Sequence, residues 1–209
     1  MLPPFLHILT FFLAFQTANS WPDGLCAILE YSRAEYVTVE ERYYGPYIKL
    51  SQYCFGDGFD FYVTPRFPTP DDVRDGTETS TIFLAVLDPH KNPVLFAEVK
   101  HESWARAAAS RHRADRHMRT RFFALLYDCP MPRLWGLSFL GTSVRIYVGD
   151  KVTHKITPPP PPVSPPYDLY VPPPDLLGEE WKTDVLSEQG FRKMKDVVND
   201  IISHTQHGH

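Results

Sequence analysis

Two apolar runs separated by a cluster of turn residues constrain the fold of this chain more than any other feature. The runs are Ile82–Leu87 and Val94–Ala97, and residues 88–93 between them read D-P-H-K-N-P. This pattern predicts a β-hairpin. Because strand side chains alternate between faces, Glu98 and Lys100 at the end of the second strand share one face. An acid and a lysine at the end of an otherwise apolar strand are the first candidate site residues.

The pattern after the hairpin predicts a helix over about residues 103–127. At about 100° per residue, one face of this helix is apolar, and its members are Trp104, Ala107, Ala108, Met118, Phe122 and Leu125. Arg111 and Asp115 project from the same face. Because a buried charge is costly unless it is paired, these two side chains form either a structural ion pair or part of a polar site. Three other arginines point toward solvent: Arg106, Arg113 and Arg116.

Two further strands are predicted at residues 134–140 and 143–148. A strand, a helix and a second strand in one sheet form a right-handed crossover, so the strands on either side of the helix are predicted to be parallel. Helical periodicity over residues 24–55 places helices before the hairpin. The sequence therefore predicts one α/β domain over residues 21–156, with a mixed sheet flanked by helices.

A proline-rich segment follows the predicted domain. Residues 157–175 contain P-P-P-P-P-V-S-P-P and a later P-P-P, a composition typical of a polyproline II strap that has no core of its own. Residues 176–203 include an apolar helical stripe, which predicts a C-terminal helical segment docked on the domain. Residues 204–209 read as a frayed tail.

The first 20 residues hold an apolar run from Phe5 to Phe15 and end in the small residues A-N-S. This pattern is typical of a secretory signal, and the alternative is an N-terminal apolar helix. A signal would make the chain a secreted protein, and without one the chain would be intracellular. No later apolar run is long enough to span a bilayer.

Composition excludes several classes of site. The three cysteines are odd in number and form no C-x-x-C pair, which argues against a disulfide framework and a structural zinc site. No H-E-x-x-H or G-x-S-x-G motif occurs. With a net charge of -4, any binding of nucleic acid would need a local basic patch. The candidate patch is on the helix after the hairpin, at Arg111, Arg113 and Arg116.

The E-V-K sequence of residues 98–100, on a hairpin strand and followed by a basic helix, resembles the core of the PD-(D/E)XK, or restriction-endonuclease-like, nucleases. The resemblance implies that Glu98 binds one or two Mg²⁺ ions and that Lys100 positions or activates water. It also implies a metal-binding acid on the helix before the sheet, at Glu41 or Glu40. A metal held by carboxylates generates hydroxide and neutralises charge on a phosphate.

A second resemblance covers most of the chain beyond its N-terminus. The pieces that carry it include E-E-R-Y-Y-G-P-Y, P-V-L-F-A-E-V-K, C-P-M-P-R-L-W-G-L-S-F-L-G-T-S-V-R-I-Y-V-G-D and L-S-E-Q-G-F-R-K-M-K. They resemble a group of uncharacterised fungal proteins that is common in mushroom-forming fungi. This group implies one compact domain and brings no activity with it.

One position departs from the PD-(D/E)XK pattern. Glu98 should face about residue 83 in the hairpin, so the second metal-binding acid should lie between Thr79 and Phe83. Residues 79–83 read T-S-T-I-F and contain no acid. Asp88 lies about four residues from the needed level, or ~13 Å at the rise of a strand, which is too far to share a metal. The chain is therefore interpreted as a degenerate copy.

Two functional hypotheses follow. The first is a nuclease-like protein that hydrolyses phosphodiesters with Mg²⁺ or binds nucleic acid, in which Arg111 contacts phosphate and Asp115 lies beside the site. The second is an interaction or effector module without catalysis, in which the proline-rich segment engages an aromatic groove on a protein partner.

Overall fold

A seven-stranded mixed sheet organises the part of the chain that the computed structural model describes, residues 14–34, 40–56, 59–66, 82–162 and 171–205. Its strands are β1 (Tyr62–Arg66), β2 (Phe83–Leu87), β3 (Pro93–Lys100), β4 (Arg133–Leu140), β5 (Ser143–Asp150), β6 (Ile156–Thr157) and β7 (Thr183–Asp184). The first six lie side by side in chain order, and β7 pairs with β5. β3 and β4 are parallel, as predicted, and the other pairs are antiparallel.

Helices cover both faces of this sheet. The described α-helices that carry the fold are α1 (Asp23–Ala34), α2 (Tyr44–Phe55), α3 (Ala108–Leu125) and α4 (Glu188–Thr205), with short 3-10 helices at Glu40–Tyr43 and Glu102–Arg106. The predicted α/β class with a mixed sheet flanked by helices is therefore confirmed.

The hairpin formed by β2 and β3 is confirmed with the predicted register. Glu98 lies opposite Phe83, and the pairing shifts by one residue near Leu87. Asp88 belongs to the turn, where its carboxylate accepts hydrogen bonds from the backbone N–H groups of His90 at 2.9 Å and Asn92 at 2.8 Å. These bonds satisfy the backbone of the turn, so Asp88 has a structural role.

Cross-strand register places polar residues of three strands in one row. Glu98 pairs with Ser138 of β4, and Ser138 pairs with Arg145 of β5. Directly paired residues point to the same face, and α3 covers this face. A Cβ at Gly136, two residues before Ser138, would lie 2.8 Å from the Met118 side chain of α3. Glycine therefore lets the helix approach β4 closely.

The opposite face of the sheet is packed against α2 and α4. The Tyr47 ring of α2 lies 4.0 Å from the ring of Phe139, centroid to centroid. Trp135 donates its indole N–H to Asp200 of α4 at 2.8 Å. Because Phe139 and Trp135 alternate with Ser138 and Gly136 along β4, they point away from α3. The docking of the C-terminal helical segment is seen in the apolar face of α4, whose buried residues include Phe191, Val198 and Ile201.

The single helix predicted over residues 103–127 is two helices. Glu102–Arg106 forms a 3-10 helix, Ala107 is extended with φ -111° and ψ 126°, and α3 begins at Ala108. This break changes the phase of the predicted apolar face. Ala107 is exposed, and His117 and Arg121 are buried instead.

Both ends of the described chain contribute to packing. Phe15 is 1% exposed and stacks on Trp21, with its centroid 5.4 Å from that of Phe191. Residues 1–13 of the predicted signal, residues 163–170 of the proline-rich strap and the tail residues 206–209 lie outside the described residues. No helix in the described part of the chain combines the length and apolarity that a membrane span requires.

Candidate functional site

Glu98 and Lys100 lie side by side at the carboxyl end of β3, beneath α3. They are 1% and 2% exposed. The Lys100 ammonium nitrogen lies 3.9 Å from Glu98 Oε1 and 3.4 Å from Glu40 Oε1. The lysine therefore links the strand carboxylate to a second carboxylate, which comes from the segment before α2.

Helix α3 supplies two nitrogen-bearing side chains to the same carboxylate. His117 Nδ1 lies 2.9 Å from Glu98 Oε1, and Arg121 Nε lies 3.9 Å from Glu98 Oε2. Burial alone would raise the pKa of the Glu98 carboxyl. The hydrogen bond from His117 and the charges of His117, Lys100 and Arg121 outweigh burial, so this pKa lies below its ordinary value. Glu98, Lys100, His117 and Arg121 are called the Glu98 cluster below.

The Glu98 cluster contains buried polar atoms that make no hydrogen bond within the described residues. Glu98 Oε2 and His117 Nε2 are buried and make no hydrogen bond within the described residues. Buried polar atoms nearly always have a partner, and exceptions mark strain, a functional role or a missing water or ligand. These two atoms mark the Glu98 cluster as a candidate site for a bound water or a polar ligand atom.

The resemblance implied a metal-binding acid on the helical segment before the sheet, at Glu41 or Glu40. The acid that lies near Lys100 is Glu40. Glu41 is exposed, and Glu40 receives a hydrogen bond from the Tyr44 hydroxyl at 3.1 Å. Burial, followed by the nearby charge of Glu40, raises the pKa of Tyr44 above its ordinary value. Tyr44 thus stays protonated and holds the Glu40 carboxylate toward Lys100.

A neighbouring ion pair fixes the position of the segment that carries Glu40. Arg42 donates to both carboxylate oxygens of Glu102, at 2.6 and 2.7 Å, and Tyr43 donates to the same carboxylate at 2.9 Å. Gly141 lets Glu102 approach, because its φ is +62° and an added Cβ would lie 2.7 Å from Glu102 Cβ. The two 3-10 helices are therefore tied together at the edge of the cluster.

Trp104 connects the buried cluster to the surface. The Lys100 ammonium nitrogen lies 4.9 Å from the centre of the Trp104 ring, and the Arg113 guanidinium lies 5.7 Å from it. Trp104 is half-buried and Arg113 is exposed. Both cations are within reach of a cation–π interaction with this ring.

The described residues do not fit the Mg²⁺ site that the PD-(D/E)XK resemblance implies. No group of three or more His, Cys, Asp or Glu side chains among them could hold a metal ion. Both oxygens of Glu98 already face nitrogen atoms of Lys100, His117 and Arg121. These contacts take the place around the carboxylate that a metal ion would occupy. The position of the missing acid, Thr79, lies outside the described residues, and residues 79–83 contain no carboxylate.

Arg111 and Asp115 are both buried, but they do not pair with each other. The Arg111 guanidinium donates to three backbone carbonyls, those of Ala105 at 2.7 Å, Pro174 at 2.7 Å and Leu176 at 2.9 Å. Two of these bonds hold the chain at the end of the proline-rich segment, and the third holds the 3-10 helix before α3. The side chain is 4% exposed, so it presents little surface to a phosphate, and the phosphate-binding role of Arg111 stays a prediction.

Asp115 lies at the centre of a second buried cluster, on the other flank of α3. It accepts two hydrogen bonds from Arg119, at 2.8 and 3.0 Å, one from Arg145 at 2.7 Å and one from the Tyr147 hydroxyl at 3.0 Å. Arg119 also donates to the carbonyl of Pro158 at 3.0 Å. Asp115, Arg119, Arg145 and Tyr147 are called the Asp115 cluster below, and their hydrogen bonds tie α3 to β5.

The sequence analysis missed His117, Arg121 and the choice of Glu40. His117 and Arg121 are four residues apart, so they share one side of any helix. That signal could have found them once the helix start was placed at Ala108. The other two predicted arginines, Arg113 and Arg116, lie on the outer side of α3, exposed and half-buried.

Comparison with known proteins assigns no function to this site. No family model matches the chain, and no curated protein or solved structure matches it. The geometry of the described residues therefore carries the functional argument.

Proposed function

We propose that this chain is a degenerate PD-(D/E)XK-like protein that binds nucleic acid without hydrolysing it. The single observation that carries the proposal is the Glu98 cluster, in which Glu98 and Lys100 lie together at the carboxyl end of β3, with Glu40 beside them. The order of elements agrees with it, because α2 precedes a β-meander whose third strand carries E-V-K and is followed by α3.

The cationic side chains around Glu98 disfavour a metal cation at this carboxylate, and a surface arginine nearby can meet a phosphate. Lys100, Arg121 and His117 surround one buried carboxylate, and Arg113 lies above the shared Trp104 ring. Cationic side chains of this kind neutralise phosphate groups and dominate affinity for nucleic acid. With the second acid absent from residues 79–83, the chain lacks the carboxylates that generate metal-bound hydroxide.

Contact with nucleic acid must come from side chains that reach the surface. Glu98 and Lys100 are buried. Their proposed role is to contribute to the local electrostatic potential and to hold α3 in place. Arg113 and Arg116 lie on the outer side of α3 and are the residues proposed to contact phosphate. The net charge of the chain is -4, so binding would be confined to this local patch.

The test is fluorescence anisotropy of the full chain with labelled single- and double-stranded DNA and RNA, at two salt concentrations, together with a cleavage assay in Mg²⁺ or Mn²⁺. We expect binding that weakens with salt and no cleavage. Replacing Arg113 and Arg116 together by Gln should weaken binding and lower the salt slope, by about 0.7 per contact for a single strand.

The matched control removes the same charge elsewhere. Lys182 and Arg192 are exposed and lie outside α3, so replacing both by Gln should leave binding unchanged. A wild-type protein that binds no nucleic acid would refute the proposal. Cleavage that disappears in Glu98→Gln would refute the absence of hydrolysis and identify an active nuclease.

The alternative hypothesis of an interaction module has one supporting observation. Arg119 and Arg111 hold the carbonyls of Pro158 and Pro174, so both ends of the proline-rich strap are fixed to the domain. Pro159 and Pro160 at one end and Pro173 at the other are exposed. Exposed prolines whose neighbouring backbone is already held lose little entropy on binding an aromatic groove.

A further inference from the structure

The outer side of helix α3 carries basic residues near its start and aromatic residues near its end. Arg113, Arg116, Thr120, Phe123 and Tyr127 recur at three- and four-residue spacings, so they form one stripe along the helix and its last turn. We call this stripe the outer face of α3. We propose that it binds single-stranded nucleic acid, whose bases stack on Phe123 and Tyr127 while Arg113 and Arg116 contact phosphates. This inference rests on the proposed function and names its substrate class.

The exposure of the two aromatic residues is the first argument. Phe123 is 77% exposed and Tyr127 is 82% exposed. A single exposed apolar side chain is ordinary on a protein surface. Two large aromatic side chains one helical turn apart, on the same side as two arginines, form a local surface of defined chemistry. An aromatic ring offers a stacking platform that tolerates every base, because every base has a π face.

Charge complementarity is the second argument. Helix α3 contains five arginines and one acid, Asp115. That acid is buried in the Asp115 cluster, so it does not offset the charge of the outer face. Asp128 follows Tyr127 at the far end of the stripe. In a chain of net charge -4, Arg113 and Arg116 give the outer face of α3 a local positive charge, which is complementary to a polyanion.

The shape of the surface favours a single strand over a duplex. Base faces are hidden in a duplex and can stack on side chains only where the bases are unstacked. From Arg113 to Tyr127 the stripe is ~21 Å long at the rise of a helix, which is enough for several nucleotides. At the Arg113 end lies the half-buried Trp104 ring, a third aromatic surface next to the Glu98 cluster.

The experiment compares affinities of the full chain for one labelled oligonucleotide as a single strand and as a duplex, by fluorescence anisotropy. We expect the single strand to bind more tightly. Replacing Phe123 and Tyr127 together by Ala should weaken binding of the single strand by about tenfold or more, because each stacked base contributes substantially to affinity. Binding of the duplex should change little.

A matched variant controls for loss of an exposed aromatic residue. Phe59 is 97% exposed and lies outside α3, so Phe59→Ala should bind the single strand as the wild type does. A thermal melt of each variant checks that the fold is kept. In addition, Phe123→Trp should show fluorescence quenching with the single strand and none with the duplex.

The outcomes separate this inference from the proposed function. If the wild type binds duplex and single strand equally, and the Phe123 and Tyr127 double variant binds as the wild type does, stacking is refuted and the proposed function stands. If the wild type binds neither, the proposed function fails and this inference fails with it. A third outcome is that the wild type binds vesicles rich in anionic lipid but not nucleic acid, and that the double variant loses this vesicle binding. The outer face of α3 would then be a membrane-binding surface, and the inference would be overturned.

Discussion

The two buried charge clusters under α3 have similar compositions and different states of satisfaction. The Asp115 cluster uses both oxygens of its carboxylate, which accept four hydrogen bonds. The Glu98 cluster has one short contact, from His117, and two contacts of 3.9 Å. Glu98 Oε2 and His117 Nε2 make no hydrogen bond within the described residues, whereas both oxygens of Asp115 are bonded.

Their positions make the contrast informative. Glu98 and Arg145 lie in one cross-strand row, joined through Ser138, and both are covered by the same helix. Within the Asp115 cluster, Arg145 Nε lacks a hydrogen bond of good geometry but lies 3.2 Å from the Glu180 carboxylate. A buried network with its bonds made serves stability, and one with unmet bonds is a candidate for function. Glu98 and Asp115 are almost equally buried, so burial alone would not distinguish the two clusters.

The largest expected effect is on the Asp115 cluster. Asp115→Ala leaves Arg145 buried without its main counter-charge, so the free energy of unfolding should fall by about 3–5 kcal/mol. Urea denaturation measures this change. Asp128→Ala is the control, since Asp128 is exposed just after the same helix. A loss below that of the control would mean that the cluster is not structural.

Glu98→Gln should destabilise less, by about 1–3 kcal/mol, because the amide can still accept the hydrogen bond from His117 and Glu40 remains near Lys100. The same denaturation experiment measures it, with Glu30→Gln on the exposed side of α1 as the control. If Glu98→Gln cost more than Asp115→Ala, the proposed division between a structural and a functional cluster would be reversed.

Tyr147→Phe sharpens the comparison by removing one hydroxyl group from the Asp115 cluster. The hydroxyl donates to Asp115 at 3.0 Å and accepts from Arg145 at 3.0 Å. Asp115 keeps its bonds to Arg119 and Arg145, so the loss should be about 1 kcal/mol. Combining this change with Glu98→Gln should give additive losses, because the clusters share no side chain. Strong coupling in this double-mutant cycle would show that they act as one network.

The smallest expected effect is the pH dependence of the stability that Glu98 contributes. The pKa of Glu98 is lowered in the folded protein, so its ionised form stabilises the fold above its ordinary pKa of about 4.3, and this contribution is lost as the pH falls through the folded value. The difference in unfolding free energy between wild type and Glu98→Gln should therefore narrow below about pH 4. Glu102, whose pKa is also lowered, is present in both proteins and cancels. A gap independent of pH would contradict the ion contacts of Glu98.

The sequence predicted the parts of this protein that depend on local pattern. The hairpin, the parallel crossover from β3 to β4 and the proximity of Glu98 to Lys100 follow from alternation and from the handedness of the crossover. The resemblance to PD-(D/E)XK nucleases directed attention to the same two residues and stays a proposal. The predicted start of the long helix was wrong, because the sequence does not distinguish the extended Ala107 from an alanine inside a helix.

Tertiary packing decided which charged residues meet. Arg111 and Asp115 are four residues apart, yet Arg111 holds Pro174 and Asp115 holds Arg145, because residues distant in the sequence offered better geometry. His117 and Glu40 joined Glu98 and Lys100 for the same reason. The sequence by itself determined the central hairpin with its register, the two strands after α3 and the E-V-K pair, since these depend on local pattern along the chain. Only the folded structure decided that both carboxylate oxygens of Asp115 are hydrogen-bonded while Glu98 Oε2 is not, since hydrogen bonding depends on where side chains from separate elements come to lie.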